Sequence, residues 1–171
     1  MILTGPEIIK QVSKGSIMID PFDVELINPN SYDFRLGNYL IRYTSEVVSV
    51  LGNNNYEEVI IPESGLTLPA GSFFLGYTIQ CIGSNEFVPI ISAKSSIARL
   101  GLFVHVTANL IDLGFYGQFT LQLHPVLPIV VYPGMKIGQV SFWKSIGEKR
   151  LYCGKYQNSI GPMPSKIELK L

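Results

Sequence analysis

After its first residues this chain is a series of short apolar or alternating runs separated by turn-forming residues. In QFTLQLHP, residues 118–125, Phe119, Leu121 and Leu123 point one way while Gln118, Thr120, Gln122 and His124 point the other, the period of a strand with one apolar and one polar face. Short apolar or alternating runs recur as YLIRY, EVVSVL, EEVIIP, SFFLGYTIQCI, FVPIISA, LFVHVTANLI, IVVYP and IGQVSFW, separated by Gly, Pro and Asn, and all read as strands. Helical periodicity is confined to the start. There Thr4 and Glu7 have the spacing of a capping box, Pro6 falls in the first turn, Leu3 can staple onto Ile8, the apolar face is Ile8, Ile9 and Val12, and Gly15 ends the helix. Many strands without long helices between them exclude parallel βαβ units. The pattern predicts a mainly β fold, a sandwich, distorted jelly roll or β-barrel, with a short N-terminal helix. Nothing divides residues 1–171, which read as one domain whose polar, turn-rich tail, residues 152–171, forms a C-terminal arm.

Composition adds an expectation about assembly. Hydrophobic residues make up 47% and charged residues 15% of the chain, a small share of charge for covering a whole surface, so apolar surface is expected to be buried in a homo-oligomer. Lys plus Arg and Asp plus Glu number 13 each, which gives no general electrostatic attraction to nucleic acid or an anionic membrane. Cys81 and Cys153 have no metal-ligand spacing and read as packing residues. With no basic region and long apolar run at MILTGPEIIK, a cytoplasmic location is expected.

Chemistry concentrates in a few stretches. KSSIARLG, residues 94–101, sets Lys94, Ser95, Ser96 and Arg99 close together, a grouping suited to phosphate oxygens but more often found in turns and solvated surface. In NLIDLGFYGQ, Asp112 sits in an apolar stretch that Gly114 and Gly117 bend around Phe115 and Tyr116. Such an acid either forms a turn or deprotonates a water, and the aromatic residues either fill the core or stack on a base or sugar. Asp33, in NPNSYDFRLG, and Asp112 can each meet a hydrated Mg²⁺, but neither spacing announces a metal. His105 and His124 have no partner at ligand spacing and read as structural.

In this order, SYDFRLG, KSSIARLGLFVHVTANLIDLGF with YGQFTLQL, PGMKIGQVSF and KYQNSIGPMPSKI resemble the family that unites dCTP deaminases with trimeric dUTP diphosphatases. Residues 94–122 are similar to the deaminase branch. The resemblance implies a dUTPase-like (β-clip) fold, a homotrimer with sites between subunits, and a deoxynucleoside triphosphate bound with Mg²⁺ that the triphosphate carries. It implies that Lys94, Ser95, Ser96 and Arg99 hold phosphates or order the site water. Asp112 would contact the deoxyribose and, in hydrolysing members, activate the attacking water. Thr120, Leu121 and Gln122 would face the base, and Tyr152, Lys155 and Ser159 would close over the triphosphate from the arm.

One departure bears on the reaction. Deaminases of this family carry a glutamate where this chain has Gln122, and an amide cannot take a proton from water and return it at neutral pH. Its NH₂ can instead donate to uracil O4 while its carbonyl accepts from N3–H. The expected activity is therefore dUTP diphosphatase, dUTP giving dUMP and pyrophosphate. An engineered amide at 122 would leave a dCTP deaminase, or a bifunctional enzyme taking dCTP to dUMP. A third reading is a nucleotide-binding regulator without turnover, against which the joint retention of Ser95, Arg99 and Asp112 counts. Lys94 for arginine, Leu113 for proline and Ser159 for glutamine are further departures from the family pattern.

Overall fold

A computed structural model describes residues 1–52 and 54–167. Helix α1, Gly5–Ser13, is followed by strands β1 (Ile17–Asp20), β2 (Tyr32–Arg35), β3 (Tyr39–Tyr43), β4 (Tyr56–Ile60), β5 (Leu66–Leu68), β6 (Phe74–Ser84) and β7 (Phe87–Ala93). A one-turn helix α2, Ser95–Ala98, then precedes β8 (Leu102–Phe103), β9 (Tyr116–Pro125), β10 (Ile129–Val131) and β11 (Lys136–Lys144). The fold is mainly β with a short N-terminal helix, as the alternation predicts. Its sheets do not close into a barrel. A six-stranded sheet runs β4-β3-β6-β9-β8 with β1 also on β6, a three-stranded sheet runs β2-β11-β7, and β10 pairs with β5.

Strand β9 alternates half-buried and buried residues along its whole length, which is the pattern read in QFTLQLHP. Its Phe119, Leu121 and Leu123 join Phe34, Ile91, Val140 and Phe142 of the three-stranded sheet in one core. Burying such side chains contributes roughly 1.5–3 kcal/mol each, and that gain fixes which face of β9 is left for chemistry. The β6–β9 register shifts between Tyr77 and Cys81. There the Thr78 hydroxyl donates to Gln80 O at 2.7 Å and accepts from Phe119 N at 2.9 Å, so the irregularity leaves these buried groups paired.

Several local expectations fail for identifiable reasons. Thr4 is the N-cap but makes no side-chain cap bond; Glu7 turns instead along the helix to Gln11 Nε2 at 2.6 Å and to Lys10. Ile8 is buried, whereas Ile9 points outward. EVVSVL forms no strand: the chain crosses between β3 and β4 as a loop, with Val47, Val48, Val50 and Leu51 exposed. LFVHVTANLI is a strand only at Leu102–Phe103; beyond it Val106 N and Thr107 N bond to the Gln122 side chain. Cys153 is exposed, so only Cys81 is partly packed. No helix of the described residues is long and apolar enough to cross a membrane.

Candidate active site

The polar face of β9 opens on a cavity of about 570 Å³, within the roughly 300–1,000 Å³ common for small-molecule sites. Asp112, Thr120, Gln122, Tyr152 and Ser159 all line it, with Phe73, Leu75, Leu110, Phe115, Tyr156 and Met163 among the apolar remainder. Residues far apart in the chain therefore meet around one strand. Leu121 does not take part by its side chain, which lies fully buried in the core; alternation puts its neighbours, not itself, on the cavity face. Lys94, Ser95, Ser96, Arg99 and Lys155 do not line the cavity either.

Each polar residue of the β9 row has a specific partner. Gln118 Nε2 donates to Ile79 O at 2.9 Å and its Oε1 accepts from Gly161 N at 2.6 Å. Thr120 Oγ1 accepts from Met163 N at 3.0 Å, and His124 Nδ1 lies 2.9 Å from Ser72 O. Gln122 Oε1 accepts from Val106 N at 2.8 Å and Thr107 N at 3.3 Å, while its main-chain N–H donates to Val104 O at 3.0 Å. That arrangement corrects one expectation. With its oxygen tied to two main-chain N–H groups, Gln122 does not present a donor and acceptor pair to a base; it presents its NH₂.

The arm lies against the body of the protein through residue 167, and residues 168–171 fall outside the described residues. Gly114 and Gly117, read in the sequence as bends, are where it crosses. A Cβ at Gly114 would lie 2.7 Å from Leu151 Cβ and 2.9 Å from Tyr152 N, and one at Gly117 would lie 2.8 Å from Ser159 N. Main-chain bonds join the same places: Tyr152 N to Leu113 O at 2.6 Å, Asn158 N to Tyr116 O at 2.9 Å and Gln118 N to Ser159 O at 2.9 Å. Gln157 Nε2 donates to Gly114 O at 2.8 Å and its Oε1 accepts from Tyr116 N at 3.1 Å. Ser159 Oγ donates to Gln118 O at 3.0 Å. The Phe115 ring packs between Phe119 and Tyr152, with centroids at 5.9 and 6.0 Å. The Lys155 ammonium bonds Lys166 O and lies 5.8 Å from the Tyr156 ring centroid.

Asp112 is the sole carboxylate lining the cavity among the described residues, and it is exposed. Asp33 is engaged elsewhere. Its buried carboxylate accepts from Asn28 Nδ2 at 2.7 Å and pairs with the Lys94 ammonium at the start of α2, so neither group is free in the way its motif suggests. No group of three or more His, Cys, Asp and Glu that could hold a metal occurs among the described residues. His105 is partly buried with Nδ1 unpaired among the described residues, and burial lowers its pKa below the ordinary 6.5.

Sequence reasoning did not single out Tyr43, Val48, Phe73, Leu75, Tyr156 or Met163 as cavity residues. Only Tyr156 and Met163 carried a signal, as apolar members of the quoted arm motif. The others reach the cavity from separate elements, through pairings that no local pattern encodes.

A family model described as dCTP deaminase-like matches residues 2–145. A Clostridium botulinum (strain Eklund 17B / Type B) protein named "dCTP deaminase, dUMP-forming" is 45% identical over 166 residues, which is 96% of this chain and 95% of that protein. A protein of the same name from Cytophaga hutchinsonii is 45% identical over 168 residues, 98% of this chain and 96% of its own length. Among solved structures, 2'-deoxycytidine 5'-triphosphate deaminase from Agrobacterium tumefaciens superposes with a TM-score of 0.66 at 23% identity over 82% of this chain, which spans 47% of that chain. That likeness is one of fold.

Proposed function

The chain belongs to the dCTP deaminase-like family, and we propose that it forms dUMP by cleaving the triphosphate of dUTP between the α and β phosphorus atoms. The observation that carries this reading is a base cavity whose sole carboxylate among the described residues is Asp112, with the amide of Gln122 tied by its oxygen to Val106 N and Thr107 N. Deamination at C4 needs a group beside the base that accepts a proton from water and returns it. Gln122 has no such capacity. Its free NH₂ would donate to a base carbonyl, and Phe73, Leu75 and Leu110 offer the ring an apolar wall to pack against.

Asp112 then acts on the water that attacks the α-phosphorus. A new O–P bond forms, the bond to the bridging oxygen breaks, pyrophosphate departs, and the proton passes to the Asp112 carboxylate and on to solvent. In this reading Mg²⁺ would be carried on the triphosphate, and Asp112, exposed in the cavity, would be the carboxylate available to meet it. Such an ion would supply neutralisation of charge on the departing pyrophosphate. Phosphate contacts from Ser95, Ser96 and Arg99 reach the site from a neighbouring subunit of a homotrimer in this reading, since they lie outside the cavity of their own chain.

A second reading, in which dCTP is the substrate and deamination accompanies pyrophosphate release, is favoured by the names of the relatives. They support it better than they support a dUTP-only reaction. Purified protein with Mg²⁺ is to be given dUTP and dCTP separately, with pyrophosphate and ammonia measured in each. Pyrophosphate from dUTP, lost in Asp112→Asn, without ammonia from dCTP supports the first reading; ammonia from dCTP establishes the second.

A further inference from the structure

Beyond the main cavity lies a second one of about 360 Å³, lined by Val88, Leu110, Ile111, Asp112, Leu113, Arg150, Leu151 and Tyr152. It shares Leu110, Ile111, Asp112 and Tyr152 with the first. The two therefore adjoin at the 110–112 segment, which carries Asp112, and at Tyr152. The main cavity has no Lys, Arg or His in its lining among the described residues, although a nucleoside triphosphate brings several negative charges with its base and sugar. In the second cavity there is one cation, Arg150.

From this juxtaposition we propose that Arg150 binds the phosphate chain of the nucleotide, in the cavity on the far side of Asp112 from the base; the inference rests on the nucleotide reading given above. Arg150 is exposed and makes no ion pair among the described residues, so its guanidinium donors are uncommitted. Lys149 beside it is already paired with Glu86. The chain just after Arg150 is held to the Asp112 turn by Tyr152 N bonded to Leu113 O at 2.6 Å and by Leu151 resting over Gly114. That attachment gives Arg150 a fixed origin beside Asp112, and a planar fork of donors at that origin matches two phosphate oxygens at once. It also gives a reason for the Cβ-free position at 114: the turn that carries the acid and the segment that carries the cation are locked together.

The test measures equilibrium binding of a non-hydrolysable α,β-imido dUTP and of deoxyuridine, with Mg²⁺, to the full chain and to Arg150→Gln, Arg150→Lys and Lys149→Gln. The expected result is at least tenfold weaker binding of the imido nucleotide by Arg150→Gln, partial recovery in Arg150→Lys, and no change in Lys149→Gln. Deoxyuridine, which has no phosphate, is expected to bind the parent and every variant alike. Unchanged imido-nucleotide binding in Arg150→Gln overturns the inference alone, as does an equal loss in Lys149→Gln, which marks a general field effect. A parent protein that binds neither ligand overturns the nucleotide reading and this inference with it.

Discussion

Substituting Gly114 by alanine tests whether the arm and the Asp112 turn are one unit. The residue has φ +87°, where a side chain costs about 1–2 kcal/mol. The added Cβ would also sit 2.7 Å from Leu151 Cβ and 2.9 Å from Tyr152 N. Both distances are too short to keep, so the 151–152 segment must shift. The shift breaks the 2.6 Å bond from Tyr152 N to Leu113 O, a net loss of about 1 kcal/mol. The total is about 2–3 kcal/mol. For a chain of this length each kcal/mol corresponds to roughly 2–4 °C in Tm, so Gly114→Ala is expected to melt roughly 4–12 °C lower. If the arm detaches instead of the whole chain unfolding, the same free energy appears as faster proteolysis after Arg150 or Lys155. The assay is a thermal melt at fixed protein concentration together with limited trypsin digestion. A Tm within about 1 °C of the parent, with an unchanged digestion rate, would refute the coupling.

Two further outcomes follow from buried groups. Asp33→Ala removes the partner of Lys94 and of Asn28; with the carboxylate buried and the lysine partly exposed, the urea midpoint should fall by an amount worth about 2–4 kcal/mol, whereas equal stability would mean that the pair holds nothing together. His105 has its pKa lowered by burial from 6.5, so the unfolded chain takes up the proton first as pH falls. Its contribution is present above the unfolded value and is lost as pH falls from there toward the lower folded value. Urea midpoints at neutral and mildly acidic pH should therefore differ less in His105→Gln than in the parent, and an identical pH dependence would remove His105 as its source.

How much of this was legible in the sequence depends on the range of the interaction. The alternation in QFTLQLHP gave the right strand and the right faces because Phe119, Leu121 and Leu123 enter a core, and burial on one side of a sheet enforces a period of two. What the polar row does was not legible. Gln118 and Thr120 are bonded to the main chain of Gly161 and Met163, and Gln122 to Val106 and Thr107, partners that leave no periodic mark. EVVSVL misleads for the converse reason: its residues are β-formers, but no strand among the described residues pairs with them. Of the residues implied by the resemblance, Asp112, Thr120, Gln122, Tyr152 and Ser159 share one cavity, while Lys94, Ser95, Ser96, Arg99, Leu121 and Lys155 lie outside its lining. A linear motif shows which residues travel together, but not which of them share a cavity.

The choice of reaction turns on Gln122, and ammonia released from dCTP by Gln122→Glu, compared with the parent under the same conditions, tests that choice most directly. A carboxylate at 122 can keep one oxygen on Val106 N and Thr107 N and offer the other to water as a proton acceptor. The account predicts no ammonia from the parent and measurable ammonia from the variant. Ammonia from the parent, or none from the variant, would contradict it.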